Sequence, residues 1–442
     1  MKRQPLISTV LIVLIFFTTL ISGVQLSRNI QGGVYDEVAH ADMVYQTFTG
    51  GFTPASGATI DDWTLVQAAC RGFIPASPSF EDCELGTYRV NDLAKDGLNT
   101  ASGYPPVYYL VSAYLAKVLD VIDGDEQITW TRMRNINISI FAVGILLSFF
   151  LFRTVGASLT QSSFGAIWLA SIPIAMYQGA TINPESMAFL AASGLCIVAL
   201  RANFSARSAF LVGLSSSLVF LIKPSFLFAV VAGIAIYALR SYQDQEFSTR
   251  NLIRFKRMGL FSLIGGFFLP LMAWTLYSAQ TSVLDKSSTY GNTTFGQLAN
   301  EIPFWNRYLI GVTQYLDIAR DVTNRELIDT SIGYRLAVIT SLLLVCYVFV
   351  KGFLSISSKL SDTSDFILLA VFISIATTTA VLIIATEQLT NIFYVSSRYA
   401  LPLLPIALAA FMIEIRKASL PSKTLLGVLV IAQTTWLLPY FS

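Results

Sequence analysis

Eleven separate apolar runs in the sequence approach the length that a helix needs to cross a bilayer, which is about 20 residues. Because no water is available inside a bilayer to bond the backbone, such runs are expected to be helical. Only 13% of the residues are charged, whereas about a quarter are charged in a typical soluble chain. The pattern predicts an all-α polytopic membrane protein with about 11 transmembrane helices, in which residues 1–442 form a single integral membrane domain. The runs are Leu6–Val24, Ile136–Phe152, Ser162–Tyr177, Met187–Leu200, Phe210–Ile222, Ser225–Leu239, Met258–Tyr277, Leu336–Val350, Phe366–Ala385, Tyr399–Ile413 and Leu425–Leu438.

A further apolar run, Val107–Val121, has two interpretations. If this segment does not cross, the loops that contain Arg153, Arg201 and Arg416 fall on the same side as Lys2. If it did cross, these basic loops would lie outside, which membrane insertion disfavours. We therefore predict a juxtamembrane amphipathic helix at the outer interface.

This topology leaves two long extracytoplasmic loops, residues 25–135 and 278–333, and short cytoplasmic connections. In the first loop Trp63, Phe73 and Phe80 alternate with Gly, Pro and Asp, which is typical of a folded region. We expect a multi-pass protein of the plasma (inner) membrane whose working face is extracytoplasmic. Membrane lipid is an expected partner, whereas a net charge of +2 gives no indication of nucleic-acid binding.

Two of the four cysteines, Cys70 and Cys83, lie together in the first loop, whereas Cys196 and Cys346 lie inside apolar runs. In an oxidising compartment a disulfide between Cys70 and Cys83 is expected. The sequence has a single histidine and no Cys/His cluster with the spacing of a zinc site.

The strongest cluster of chemically active residues follows the first apolar run, where Asp36 and Glu37 are followed by His40. If a helix starts at Asp36, His40 lies one turn further on the same face and could orient the Asp36 carboxylate. A carboxylate at the membrane surface can act as a general base toward a hydroxyl. The structural alternative is that Asp36 caps the helix, Glu37 interacts with the helix dipole and His40 lies at the headgroup level.

A second acidic position is the sequence Asn183-Pro184-Glu185, on the same outer side. Asn183 fits a helix cap, Pro184 the first turn and Glu185 the positive end of the helix dipole. An ionisable residue at the end of a membrane helix is also a candidate functional residue. Glu185 could therefore bind a substrate or a divalent metal together with Asp36.

Two basic residues, Lys223 and Arg398, occur in short outer turns. A lysine at this depth is costly without an anionic partner, and a lipid-linked phosphate would supply one. The alternatives are a lysine that snorkels to the headgroups and an arginine held at the interface beside tyrosines.

The order of these motifs resembles the GT-C superfamily of membrane glycosyltransferases, and within it an uncharacterised bacterial subgroup of polytopic membrane proteins. The resemblance covers most of the chain, although each motif is short. The matching motifs are Asp36-Glu37-x-x-His40, Tyr104-Pro105-Pro106 before the juxtamembrane helix, Arg132 and Arg134 after it, Asn183-Pro184-Glu185, Lys223-Pro224 and Arg398-Tyr399-x-Leu401-Pro402.

The resemblance implies that a sugar is moved, with inversion, from a polyprenyl-phosphate donor to a glycan or lipid-borne acceptor of the cell envelope. Asp36 would be the base, with Glu37 as the competing candidate and His40 as the residue that orients it. Lys223 and Arg398, with Tyr399, would bind the donor phosphate. Glu185, with Asn183, would position the acceptor or help to bind a divalent metal. The C-terminal soluble domain of many relatives has no counterpart here, which puts polymer binding in doubt.

Two other functions are compatible with the sequence: a transporter or flippase of a lipid-linked saccharide, and a non-catalytic subunit for envelope assembly. Transporters place ionisable groups near the bilayer midplane, often beside broken helices. An enzyme instead requires Asp36, Glu185, Lys223 and Arg398 to meet at one surface.

Overall fold

The structure of the protein is a computed structural model. The structure describes residues 3–30, 36–70, 97–123, 128–203, 205–243, 249–281, 304–314, 332–357, 362–390, 397–417 and 419–441.

The described residues are helical apart from connecting turns and one isolated β-bridge between Thr59 and Leu98. Short 3-10 turns at Pro184–Met187, Pro224–Phe226 and Ser397–Ala400 lead into later helices. The helices are α1 (Arg3–Asn29), α2 (Glu37–Gly50), α3 (Asp62–Ala69), α4 (Val107–Asp123), α5 (Trp130–Thr154), α6 (Leu159–Ala170), α7 (Pro173–Ala180), α8 (Ala188–Arg201), α9 (Ala206–Phe220), α10 (Leu227–Gln243), α11 (Thr249–Thr281), α12 (Phe304–Gln314), α13 (Ile332–Ser357), α14 (Thr363–Thr390), α15 (Leu403–Lys417) and α16 (Leu420–Thr434).

Seven helices in the described part of the chain are long and apolar enough to cross a membrane, and an eighth span is formed if α6 and α7 are counted together. Two predicted runs fall on shorter apolar helices, Ala206–Phe220 and Gly427–Leu438. The run Tyr399–Ile413 falls on α15, which has 15 residues. The prediction of an all-α polytopic membrane protein is thus confirmed, whereas the number 11 stays a prediction.

The helix pair α6 and α7 is bent by 69° at Ser171. A break inside a membrane exposes backbone carbonyls that need internal partners. The indole Nε1 of Trp436 donates to the Ser171 carbonyl oxygen at 2.8 Å, and Gln433 Nε2 donates to the Ser171 hydroxyl at 2.8 Å. Thr340 in turn donates to Gln433 Oε1 at 2.7 Å. Neutral side chains of the C-terminal segment therefore supply hydrogen bonds to the polar groups of Ser171 at the break, and Thr340 of α13 holds one of these side chains in place.

The segment between α1 and α5 starts and finishes at the same end of the helix bundle. Arg134, in the first turns of α5, donates to the carbonyl oxygens of Ser27 and Ile30 at 2.9 and 2.8 Å, beside the C-terminus of α1. The C-terminus of α1 and the N-terminus of α5 therefore lie side by side, an arrangement compatible with the predicted topology. Helix α4 buries Tyr108 and Tyr109 against this end and exposes Val118 and Val121.

The other end of the bundle gathers basic side chains from loops far apart in sequence. Arg201 donates to the Thr154 hydroxyl at 3.2 Å, Arg240 to the Ala199 carbonyl oxygen at 3.0 Å and Arg416 to the Gly156 carbonyl oxygen at 3.4 Å. The basic loops that the positive-inside rule assigns to the cytoplasm thus meet at one end.

The described part of the first loop is organised around the buried carboxylate of Asp42. Its Oδ1 accepts bonds from the Asp61 backbone N–H at 2.8 Å and the Thr64 hydroxyl at 2.9 Å. Its Oδ2 accepts from Asn99 at 2.6 Å and Gln46 at 2.7 Å. These bonds join α2 to α3 and to the turn before α4, so this part of the loop is folded.

Several predictions for the loops fall on residues that the structure does not describe. Cys70 is disulfide-bonded and Cys196 and Cys346 are free, but Cys83 lies outside the described residues, so the Cys70–Cys83 pairing stays a prediction. Trp63 stacks on Tyr45 with ring centroids 4.2 Å apart, whereas Phe73 and Phe80 also lie outside the described residues. The same holds for most of the second predicted loop, 278–333, apart from its ends and α12.

Candidate functional site

Two X-Pro turns carry charged side chains to the starts of two neighbouring helices. A residue before proline is pushed toward an extended backbone, and both Asn183 (φ −163°) and Lys223 (φ −158°) are extended. Pro184 and Pro224 then begin the 3-10 turns that lead into α8 and α10. Arg398 lies in the corresponding turn before α15.

Glu185 is the buried centre of a charged cluster in which two cations meet one carboxylate oxygen. Lys223 Nζ lies 2.5 Å from Glu185 Oε1, and Arg398 Nε lies 3.5 Å from the same oxygen. The three side chains are 10% exposed or less. With one negative and two positive charges, this cation seat (Glu185, Lys223 and Arg398) has a net charge of +1.

Two tyrosine rings border the cation seat. Lys223 Nζ lies 5.6 Å from the ring centroid of Tyr104 and 5.4 Å from that of Tyr399. The guanidinium carbon of Arg398 lies 5.6 Å from the Tyr399 ring centroid. These distances are within cation–π range, so the rings help to hold the cations without neutralising them.

Asp36 differs from every other described non-glycine residue in having a left-handed backbone, with φ 53° and ψ 23°. It precedes α2, yet its side chain makes no capping hydrogen bond, and the residue is exposed. Burial lowers the pKa of Arg398, but Glu185 and Tyr399, and more weakly Asp36, raise it above its ordinary value. The charge of Asp36 therefore acts on Arg398 in the cation seat.

Glu37 has a different environment, although it is adjacent to Asp36 in sequence. Its carboxylate accepts two parallel bonds from Arg134, Nε to Oε1 and Nη2 to Oε2, both at 2.8 Å. Its Oε1 also accepts the backbone N–H of Ile182 at 2.9 Å. A buried carboxylate that accepts these three hydrogen bonds is poorly placed to take a proton from a substrate.

His40 is buried beside the cluster and bonds to Tyr109, with Nδ1 2.8 Å from the tyrosine hydroxyl oxygen. The sequence predicts instead that His40 orients the Asp36 carboxylate. The link between these two residues is a backbone bond, from His40 N–H to the Asp36 carbonyl oxygen at 3.0 Å. Burial, followed by the charge of Lys223, lowers the pKa of His40 to about 3, so the ring is neutral near pH 7.

Asn183 acts as the cap that its sequence predicts, because its Oδ1 accepts the Glu185 backbone N–H at 2.8 Å. Its Nδ2 donates to Gln178 Oε1 at 2.6 Å and to the Thr181 hydroxyl at 2.9 Å. These contacts fix the turn that presents Glu185, and they give Asn183 a structural role.

The sequence assigned no role in the site to four residues that shape it, Arg134, Asn137, Tyr104 and Tyr109, although Arg134 and Tyr104 lie in the matching motifs. Asn137 donates to the Thr181 carbonyl oxygen at 2.8 Å and accepts from the Tyr108 hydroxyl at 3.0 Å. Arg134 and Asn137 are three residues apart, so they share a face of α5. Two polar residues with this spacing near the start of an otherwise apolar helix are the signal that could have identified them.

The described residues include no group of three or more His, Cys, Asp or Glu side chains that could hold a metal ion. Glu185, which was predicted to position an acceptor or to help bind a metal, faces two cations. The geometry therefore favours an anion beside Lys223 and Arg398 over a metal beside Glu185.

The fold and its long apolar helices define a multi-pass, all-α membrane protein. Residues 20–407 match the family described as predicted membrane protein DUF2142, and because the match covers most of the chain, the protein belongs to this family. No curated protein matches the sequence. The description of the family names no activity, so the function has to be inferred from the site.

The neutral state of His40 predicts a pH dependence of stability. Below its ordinary pKa of 6.5 the ring takes up a proton in the unfolded chain, but in the folded chain only near pH 3. His40 therefore stabilises the fold fully above about pH 6.5, and its contribution falls as the pH drops toward 3, on the order of 1 kcal/mol per pH unit. Thermal unfolding in detergent should lose more stability between about pH 7 and pH 5 in the wild type than in His40→Gln. Parallel pH curves for the two proteins would contradict this assignment.

Proposed function

We propose that this protein is an inverting membrane glycosyltransferase that moves a sugar from a polyprenyl-phosphate donor to an extracytoplasmic acceptor of the cell envelope. The observation that carries the proposal is the buried cation seat, together with an exposed carboxylate, Asp36, whose charge acts on Arg398. The enzyme would lie in the plasma (inner) membrane with this end outward. The resemblance of the motif order to GT-C glycosyltransferases supports the same assignment.

Asp36 is the proposed base. Its side chain is exposed and makes no capping bond, so its lone pairs can accept a proton from an acceptor hydroxyl. A left-handed backbone at a non-glycine residue is costly, and such residues often occur at functional sites. Glu37 is excluded from this role in the proposal because Arg134 and Ile182 already occupy its carboxylate.

Lys223 and Arg398 are the proposed partners of the donor phosphate. Both lie in turns that lead into apolar helices, and their combined charge exceeds that of Glu185 by one. A donor phosphodiester carries one negative charge, which would bring the total charge of the cation seat to zero. In this proposal Glu185 orients the two cations and competes with the phosphate for them. This role differs from the predicted one, in which Glu185 positions an acceptor or helps to bind a metal.

The proposed reaction is a single displacement. The acceptor oxygen attacks the anomeric carbon while Asp36 takes its proton, and the bond between this carbon and the phosphate oxygen breaks. The electron pair of that bond stays on the phosphate, which leaves as polyprenyl phosphate, and the sugar is transferred with inversion. Lys223 and Arg398 stabilise the charge that grows on the phosphate.

A transporter or flippase is the main alternative, because α6 and α7 form a bent pair of the kind found in transporters. In those proteins charged or coordinating groups lie at the break. Here neutral Gln433 and Trp436 occupy the break at Ser171. Glu185 lies beyond the C-terminus of α7, about 12 Å of helix away. The separation of the break from the charges favours the enzyme.

The first prediction of the proposal concerns Asp36→Asn. This variant should keep its thermal stability, because the side chain is exposed and asparagine tolerates a left-handed backbone. Transfer of radiolabelled sugar from polyprenyl phosphate should fall at least about 100-fold, since the general base is lost. The matched control is Asp62→Asn, which removes an exposed carboxylate on α3 and should leave transfer unchanged. Normal transfer by Asp36→Asn would rule out Asp36 as the base.

The second prediction concerns the competition between Glu185 and phosphate. Glu185→Gln raises the net charge of the cation seat to +2, and it should bind a short-chain prenyl monophosphate about 10-fold more tightly, since each 1.4 kcal/mol is a factor of ten. Arg398→Gln keeps the bond between Lys223 and Glu185 and should bind it about 10-fold more weakly. Titration calorimetry of the purified proteins gives both affinities. Unchanged affinity in both variants would place the phosphate elsewhere.

A further inference from the structure

We propose that Arg134, through its ion pair with Glu37, is a positioning residue that keeps the base and the cation seat at a fixed separation. The inference rests on the proposed function. It concerns two residues that touch neither the donor nor the acceptor. They hold in place the backbone segments that contain Asp36 and Glu185.

Within the described part of the chain, the side-chain hydrogen bonds of Arg134 go to groups beside the site. Two of its four hydrogen bonds go to the Glu37 carboxylate and two go to backbone carbonyl oxygens at the C-terminus of α1. The side chains of Arg134 and Glu37 are each 1% exposed. The planar guanidinium makes parallel bonds to the carboxylate, which fixes direction as well as distance.

The same ion pair reaches both halves of the site through short backbone connections. On one side, Glu37 directly follows Asp36, so its position fixes the strained backbone of the proposed base. On the other side, Glu37 Oε1 accepts the backbone N–H of Ile182, three residues before Glu185. One carboxylate therefore links the segment that carries the base to the turn that carries the centre of the cation seat.

A second contact from the same helix supports this arrangement. Asn137, one turn after Arg134, donates to the Thr181 carbonyl oxygen at 2.8 Å. The Ser186 hydroxyl donates back to Asn137 Oδ1 at 3.3 Å. Helix α5 thus contacts the turn from Thr181 to Ser186 directly through Asn137, and indirectly through Arg134 and Glu37. The second connection also reaches Asp36, because Asp36 precedes Glu37.

Stability alone does not require charges at this place. A buried ion pair can often be replaced by apolar residues of similar volume without loss of stability, whereas removal of one partner is strongly destabilising. What an apolar pair cannot reproduce is the bond to the Ile182 N–H and the directed contact to the end of α1. The role that remains for the charges is geometric.

The test compares Arg134→Lys and the double variant Glu37→Leu/Arg134→Met with a control, Arg132→Lys, which changes another ion-paired arginine of α5. The double variant leaves no single buried charge behind, so it should fold. In both test variants we expect kcat to fall roughly 10- to 100-fold, because small misplacements of a base cost this much, while the KM for the donor stays within a few-fold. The control should keep both constants. A double variant that folds and retains wild-type kcat would overturn the proposal.

Hydrogen exchange separates this proposal from the proposed function. Because the ion pair links two segments, Arg134→Lys should accelerate exchange in peptides covering 36–44 and 181–187 together. Acceleration in one of these peptides alone would contradict the link, whether or not the protein transfers sugar. If the wild type transfers no sugar but both peptides respond, the proposed function fails and the positioning role stands.

Discussion

The site depends on the buried ion pair between Arg134 and Glu37. This pair closes the first loop onto the helices, because Arg134 also binds the carbonyl oxygens at the end of α1. It also fixes the turn before α8 through the Ile182 N–H. It thereby links the segment that carries Asp36 to the turn that carries Glu185.

Four carboxylates near this end of the bundle have different surroundings, and these surroundings determine which role each can have. Asp42 accepts four hydrogen bonds and organises the loop, Glu37 accepts Arg134, and Glu185 faces two cations. Asp36 is the exposed one, with no capping bond. The first three are held by internal partners, which suits structural or orienting roles, and the fourth is open to a substrate.

Much of the fold follows from local sequence patterns. The apolar runs located most of the helices, and the Asn-Pro pair predicted the cap at Asn183, because these signals act over a few residues. The number of spans did not follow as directly, since the bend at Ser171 and the short helices α9, α15 and α16 depend on tertiary partners. The contact of Thr340 with Gln433 is one such partner, and it joins residues 93 positions apart.

The order of the motifs along the chain identified the candidate residues, but it did not identify the role of each residue. Asp36 and Glu37 look equivalent in sequence, and only the bond from Arg134, 97 positions away, separates an open carboxylate from an occupied one. His40 has the spacing to orient Asp36, yet the neighbouring helix offers it the Tyr109 hydroxyl instead. Contacts between distant segments decide such roles, and no local pattern encodes them.

The central claim is tested most directly by incubating the purified wild-type protein in vesicles with polyprenyl-phosphate donors that carry radiolabelled sugars. Our account predicts that the label leaves at least one donor for an acceptor, while one molecule of polyprenyl phosphate is released per sugar transferred. Label that stays on the donor lipid with every donor, whether or not that lipid moves across the bilayer, would contradict it.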